Sequence, residues 1–271
     1  MTPTTYHRPH QIEEAVRLYE ASEDPLYLSG GHTLLPTMKQ GLARPTDLID
    51  LCAIPALRGI GFEAGRITIG ATTCHADVAA SPVVGRHIPA LAGLAGSIAD
   101  RHVRHRGTIG GSLANNDPAA DYPCAALGLG ATIVTDRRAL VADDYFVALY
   151  ETALEPGEMI TRVVFPVPHA AGYAKFRAGA SRYAVAAVFV SRGARGVRVA
   201  VTGASAKGVI RLGAFEAALA EEFSPEAVAG LKVDPTTLLD DLNGTPDYRA
   251  HLVAVLARRA VGHMGEARSY K

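Results

Sequence analysis

The chain has 271 residues, enough to bury a sizeable core and to divide into two or three compact units. Apolar residues make up 48% of it and charged residues 20%, as is ordinary for a soluble globular protein. Lys and Arg together number 27, as do Asp and Glu, so the chain has no net positive charge. A chain without net positive charge is a poor candidate for binding nucleic acid or an anionic membrane surface.

Three cysteines, Cys52, Cys74 and Cys124, are scattered along the chain. Because no pair has CxxC spacing, we expect no iron–sulfur cluster, structural zinc or other metal site in this chain. The segment from Met1 to Arg8 is polar, unlike a signal peptide, and no apolar run reaches the ~18 residues of a membrane span. We therefore expect a cytoplasmic protein with no membrane span.

The first fifty residues alternate helix and strand patterns. Apolar residues at three- and four-residue spacing predict a helix over 12–19, and another helix is expected to start near Leu34. Short apolar runs predict strands at 25–29 and 47–51, with Gly30-Gly31 ending the first. These elements indicate a small α/β unit.

The middle of the chain mixes strand patterns with one long apolar segment. Residues 66–73 are strand-like, and 84–99, rich in Ala, Leu, Ile and Gly, predict a buried helix. A second glycine pair, Gly110-Gly111, predicts a turn followed by a polar segment up to Asp121. Strands are predicted beyond it, at 131–135 and 159–165.

Pro166 and Pro168 make a natural boundary before the C-terminal part. Two Val- and Ala-rich runs, 183–191 and 196–202, predict adjacent antiparallel strands. The last helix is predicted to bury one stripe and to expose three arginines; the stripe is Leu252, Val255, Leu256 and Ala260, and the arginines are Arg249, Arg258 and Arg259. The order of elements implies an α+β protein with a separable C-terminal domain.

The sharpest signal is a pair of similar glycine segments, Ser29-Gly30-Gly31-His32-Thr33 and Thr108-Ile109-Gly110-Gly111-Ser112. Adjacent glycines let the backbone turn tightly and bring its N–H groups close to a ligand. Such amides are suited to phosphate, and a diphosphate needs donors from more than one direction. Either segment alone could be a simple chain reversal, but together they predict a diphosphate site.

Together with their flanks, these segments resemble the FAD-binding medium subunit of the carbon monoxide dehydrogenase and xanthine dehydrogenase family. The resemblance covers almost the whole chain and includes the stretch from Arg104 through Pro123. Its most specific part is the second glycine segment, through Asp121. It implies an FAD-binding region of the p-cresol methylhydroxylase/vanillyl-alcohol oxidase type at 1–175, with subdomains at about 1–55 and 56–175. A C-terminal α+β domain, an antiparallel sheet with helices, is expected at 176–271.

The resemblance also implies which residues bind FAD. The first segment would wrap the diphosphate, and the second would approach it from the opposite side; the residues are Gly30, Gly31, His32, Thr33, Leu34, Thr108, Ile109, Gly110, Gly111 and Ser112. Asp121 matches a carboxylate placed on the FAD sugar hydroxyls, although an aspartate before Tyr122-Pro123 could also be a surface or turn residue. No catalytic residue is nominated, since the cofactor carries the redox step.

Three further residues are placed near the flavin ring by the resemblance. Ile160, beside Met159, falls where an apolar side chain meets the ring, and Lys175 and Tyr183 lie in a segment brought over it. Tyr183 could stack on the ring or be an ordinary strand aromatic. Two positions depart from the family pattern. Arg182 stands where the family often has an aspartate, and it could favour the reduced, anionic flavin or point to solvent. His105 stands where the family usually has an asparagine, and it is given no role.

The resemblance implies a function in electron relay. Partner chains, a large molybdopterin-binding subunit and a small subunit with two [2Fe-2S] clusters, would form a heterotrimer, expected as a dimer of heterotrimers. Electrons would pass from the clusters through FAD to an external acceptor. The alternatives are a self-contained FAD-dependent oxidoreductase or reductase, and a non-enzymatic scaffold that lost the flavin. The substrate and the terminal acceptor remain open.

Overall fold

The structure is a computed structural model that describes residues 4–265 and 267–270. Three main β-sheets follow one another along the chain, each accompanied by helices. Among the described helices, none combines the length and apolar character needed to cross a membrane.

The first sheet is small and parallel, with the strand order β1-β3-β2. Its elements are β1 (Thr5–His7), α1 (Ile12–Ala21), β2 (Pro25–Leu28), α2 (Leu34–Lys39) and β3 (Asp47–Asp50), followed by 3-10 helices at Leu51–Ala53 and Pro55–Leu57. The predicted helices and strands of this region are confirmed. Because β2 is parallel to β3, its carboxyl end delivers Ser29 and the first glycine segment to one edge of the sheet.

The second sheet is antiparallel, in the order β4-β5-β10-β6-β7, with the hairpin β8-β9 beside it. Its strands are β4 (Ile60–Glu63), β5 (Arg66–Gly70), β6 (Thr132–Thr135), β7 (Ala139–Val141), β8 (Phe146–Ala148), β9 (Glu151–Thr152) and β10 (Ile160–Pro166). The interleaved helices are α3 (His75–Ala80), α4 (Pro82–His87), α5 (Pro89–Ser97), α6 (Arg101–Arg104), α7 (Ile109–Asn115), α8 (Asp121–Leu129) and α9 (Ala142–Tyr145).

Two sequence predictions in this region were wrong. The helix predicted over 84–99 is two helices, because Ile88 leaves the helical conformation (φ −139°, ψ 69°) and Pro89 starts a new one. The second glycine pair is not a turn before a polar loop but lies in the first turn of α7. Thr108 caps that helix by accepting a hydrogen bond from the Gly111 N–H at 3.2 Å.

The third sheet has the order β14-β13-β12-β11-β15. Its elements are β11 (Ala170–Arg177), β12 (Ala184–Gly193), β13 (Gly196–Thr202), β14 (Ile210–Arg211), α10 (Gly213–Glu221), a 3-10 helix at Pro235–Thr237, α11 (Pro246–Gly262) and β15 (Ala267–Tyr270). The predicted boundary at 175/176 would divide β11, which pairs along its length with β12. The division into domains stays a prediction, and Pro166 and Pro168 mark a place for it between β10 and β11.

The third sheet is buried on both faces. Phe189 on β12 packs into the core shared with α8, while Val188 and Val190 pack against α10 and α11. Helix α8 is buried along its whole length, and a Cβ on Gly128 would lie 2.9 Å from the Phe189 ring. The continuous apolar run of β12 follows from this double burial. The helix thereby ties the third sheet firmly to the second.

Arg249 corrects the predicted polar face of the last helix. Its side chain is only 1% exposed, and its guanidinium donates to the carbonyl oxygens of Val185 and Gly203 and to Asp241. Buried arginine is tolerated because strand-end carbonyls and a carboxylate satisfy its N–H groups. It therefore stabilises the packing of α11 on the third sheet.

Candidate functional site

The two glycine segments lie directly against each other. Ser29 Oγ is 2.9 Å from Thr108 Oγ1, which joins the end of β2 to the cap of α7. A Cβ on Gly30 would overlap the carbonyl oxygen of Arg106 and lie 2.7 Å from the Cα of Gly107. Only glycine fits this approach, so the close contact between the segments explains Gly30.

The first segment presents free backbone amides. Within the described part of the chain, the N–H groups of Gly30, Gly31, His32, Thr33 and Leu34 have no protein acceptor, and the first bond of the turn is Leu35 N–H to Gly31 O at 3.1 Å. Gly31 has a φ of +73°, the left-handed conformation that bends such a run into a concave nest. Five consecutive open donors make this segment an anion cradle.

The second segment differs, because four of its five amides are already engaged. Ile109 and Gly110 donate to the carbonyls of Thr73 and Ala71 at 3.2 and 2.8 Å, and Gly111 and Ser112 donate to Thr108. The amides of Ile109–Ser112 are therefore not free for a phosphate, whereas the Thr108 N–H has no acceptor among the described residues, and contact with a diphosphate from this side stays a prediction. The segment also packs tightly against Ala71, because a Cβ on Gly110 would lie 2.6 Å from the Ala71 Cβ.

A cleft of about 790 Å³ opens between the segments and continues toward the third sheet. This volume lies in the range of cofactor clefts, about 300–1,000 Å³. Twelve of the fourteen predicted residues line it: Gly30, Gly31, His32, Thr33, Leu34, Thr108, Gly110, Gly111, Ser112, Asp121, Ile160 and Tyr183. The other two, Ile109 and Lys175, do not line it, since both side chains are fully buried.

Asp121 is neither a surface nor a turn aspartate. It begins α8 with 4% of its surface exposed, and its carboxylate is held by the Tyr173 hydroxyl and by Lys175, whose Nζ lies 2.8 Å from Oδ1 and 2.9 Å from Oδ2. Lys175 is thus the partner of Asp121, and both partners on β11 fix α8 against the third sheet. The carboxylate still borders the cleft, so contact with a sugar hydroxyl stays a prediction.

The far end of the cleft is closed by the β11–β12 connection. Tyr183 precedes β12, is 48% exposed and faces the cleft, and partial burial raises the pKa of its hydroxyl. Arg182 adopts a left-handed φ of +62°, and its Nη1 donates to the Ala99 carbonyl at 3.2 Å on the opposite wall. Tyr183 and Ile160 both line the cleft and supply apolar surface to it.

One of the cleft residues that escaped the sequence analysis stands out. His75, the first residue of α3, is 5% exposed and lines the cleft beside the second glycine segment. Its neighbours in the sequence carry no glycine pair or other motif, and it reaches the site only through the pairing of Cys74 with Thr108. In the described part of the chain, no three His, Cys, Asp or Glu side chains are grouped so as to hold a metal ion.

The fold and the cleft define a class of protein that holds a cofactor carrying a diphosphate and a planar ring. The family described as the FAD binding domain in molybdopterin dehydrogenase matches residues 2–168, and the chain belongs to this family. The predicted cofactor of this chain, FAD, is thereby confirmed.

Relatives are similar to this chain over nearly its whole length, well beyond residues 2–168. The carbon monoxide dehydrogenase medium chain of Hydrogenophaga pseudoflava is 35% identical over 94% of this chain and 95% of the relative. The nicotine 6-hydroxylase medium subunit of Paenarthrobacter nicotinovorans is 35% identical over 96% of each. The chain is therefore an oxidoreductase subunit of the molybdenum hydroxylase family.

Solved structures confirm the α+β architecture over nearly the whole chain. A chain of carbon monoxide dehydrogenase from Hydrogenophaga pseudoflava, in a form lacking the Mo-pyranopterin moiety of the molybdenum cofactor, superposes with a TM-score of 0.85 at 34% identity and 97% coverage of both chains. A chain of quinoline 2-oxidoreductase from Pseudomonas putida 86 gives 0.86 at 26% identity, covering 96% of this chain and 95% of that chain.

Proposed function

We propose that this chain is the FAD-binding medium subunit of a heterotrimeric molybdenum hydroxylase. Its partners would be a large subunit that holds the molybdenum cofactor and a small subunit with [2Fe-2S] clusters, assembled as a dimer of heterotrimers. Electrons would leave the clusters through FAD for an external acceptor. The names of the relatives, a medium chain and a medium subunit, support this arrangement.

The observation that carries the proposal is the run of open amides at Gly30–Leu34 beside a closely packed second wall. These amides would hold the FAD diphosphate, and the Ser112 hydroxyl would add a donor from the other side. Ile160 and Tyr183 would flank the ring, and Asp121 would accept from a sugar hydroxyl. When bound, FAD supplies the redox chemistry, while the chain supplies position and excludes water.

The choice of organic substrate would lie in the large subunit. Two relatives that are each 35% identical to this chain bear the names of a carbon monoxide dehydrogenase and a nicotine 6-hydroxylase, so similarity of the medium subunit does not identify the substrate. We further propose that the complex works in the cytoplasm, which suits its three free thiols.

Co-expression with the genes of the two partners tests the assembly. Tagged chain should retain a large and a small subunit, with molybdenum, iron and FAD in the purified complex. The isolated chain should bind FAD and reduce artificial dyes but should not turn over an organic substrate. Substrate turnover by the isolated chain would instead establish the self-contained oxidoreductase.

A further inference from the structure

His75 is fixed against the second glycine segment by the backbone. Its N–H donates to the Gly107 carbonyl at 2.9 Å, and the preceding residue, Cys74, pairs with Thr108 in an isolated bridge. The imidazole packs onto Gly107 so closely that a Cβ there would lie 2.6 Å from Nε2. Gly107 in turn contacts Gly30, so the ring stands next to the open amides of the first segment.

The imidazole has no hydrogen-bond partner of its own. Nδ1 is enclosed without a partner, and neither ring nitrogen bonds to any described residue. The ring of Tyr122 is nearby, with centroids 5.3 Å apart, but its hydroxyl is also unpartnered. Burial, with the neighbouring His32 and Arg104, lowers the pKa of His75 to about 4. The ring is therefore neutral and carries one N–H donor, which has no acceptor within the described part of the chain.

Buried polar side chains in native proteins are nearly always paired, so a largely buried imidazole that lines a ligand cleft without any partner among the described residues indicates a missing ligand atom. Because Nδ1 is enclosed, that ligand atom would meet the other ring nitrogen, Nε2. On the side of the second glycine segment few donors are open, because the amides of Ile109–Ser112 are engaged within the protein. Among the groups there that line the cleft, the Thr108 N–H, the Ser112 hydroxyl and the His75 ring are candidates to donate to a ligand.

We propose that His75 is a cofactor-binding residue whose ring N–H donates a hydrogen bond to a diphosphate oxygen of FAD. This rests on the proposed placement of the diphosphate at Gly30–Leu34. A neutral imidazole is well suited to the position, because it donates to the anion from a buried site without a second buried charge. His75 thus adds a donor on the side where the amides of Ile109–Ser112 are engaged.

Equilibrium titration of flavin-free protein with FAD tests the proposal. The variants are His75→Phe, which keeps a ring but no donor, His75→Gln, which keeps an amide donor, and His169→Phe as an exposed control outside the cleft. Removing the donor should raise the Kd for FAD about 10- to 100-fold, with partial recovery in His75→Gln and no change in the control. The Tm of flavin-free His75→Phe should not fall, because an unpaired buried nitrogen is removed.

A second measurement uses the unmodified chain. With 15N-labelled histidine, the ring signals that are missing from the His75→Gln spectrum should shift when FAD is added. A Kd of His75→Phe within about 3-fold of wild type, or ring signals that FAD leaves unchanged, would overturn the assignment. If wild-type protein binds no FAD at all, the failure lies with the proposed function rather than with His75.

Discussion

The hydroxyl oxygens of Ser29 and Thr108 lie 2.9 Å apart, although 79 positions separate the two residues in sequence. This contact joins the segment with open amides to the helix whose amides are engaged. Thr108 also caps α7 through the Gly111 N–H. One hydroxyl thus holds both walls of the diphosphate site in register.

Thr108→Val should therefore weaken both stability and cofactor binding. Loss of the cap is expected to cost about 1–2 kcal/mol of unfolding free energy. Thr108→Ser keeps the hydroxyl and is the matched control. Denaturant unfolding and FAD titration of the two variants check this, and equal values for Val and Ser at this position would contradict the role of the hydroxyl.

Gly30→Ala tests the close approach of the two segments. The added methyl group would meet the Arg106 carbonyl, a backbone atom that cannot turn aside. We expect a loss of about 1–3 kcal/mol in stability from overpacking, with markedly weaker FAD binding. Gly213→Ala, where the methyl group meets nothing within 4 Å, is the control. A Gly30→Ala protein that keeps wild-type Tm and Kd would mean that the segments are not in contact.

The buried pair of Asp121 and Lys175 should be strongly coupled. Asp121→Asn leaves a fully buried ammonium group without its carboxylate, which should cost about 3–5 kcal/mol of unfolding free energy. Adding Lys175→Met removes the stranded charge, so the double variant should be more stable than Asp121→Asn alone. Chemical denaturation of wild type, the two single variants and the double variant measures this. Additive losses would show that the two side chains do not interact.

The pH dependence of stability should report on His75. Its pKa in the folded chain is about 4, against an ordinary value of 6.5, so between these values the unfolded chain binds a proton that the folded chain does not. Stability is therefore lost as pH falls through this window. Flavin-free wild type should lose up to about 3 kcal/mol more than His75→Phe between pH 7 and pH 4. Parallel unfolding curves for the two proteins would contradict a neutral buried ring.

Sequence patterns gave most of the elements and both glycine segments, because helix spacing, strand runs and glycine pairs are local signals. These patterns did not predict which backbone amides of the glycine segments are hydrogen-bonded within the protein. The Gly110 amide is engaged by Ala71, which is placed there by the second sheet, and no feature near Gly110 indicates it.

Contacts between residues far apart in the sequence likewise determine which charged side chains are buried and which partners they have. Lys175 meets Asp121 across 54 positions, and Arg249 is buried because carbonyls of two distant strand ends converge on it. A helical pattern treats such an arginine as polar surface. The orphaned ring of His75 is visible only when every neighbour is in place.

Hydrogen exchange of the backbone amides tests the central claim most directly. Flavin-free protein should exchange the amides of Gly30–Leu34 rapidly and those of Ile109–Ser112 slowly, because only the latter have protein acceptors. Saturating FAD should slow exchange at Gly30–Leu34. If FAD binds tightly and leaves exchange at these five amides unchanged, the diphosphate is held elsewhere and the account of the cleft is wrong.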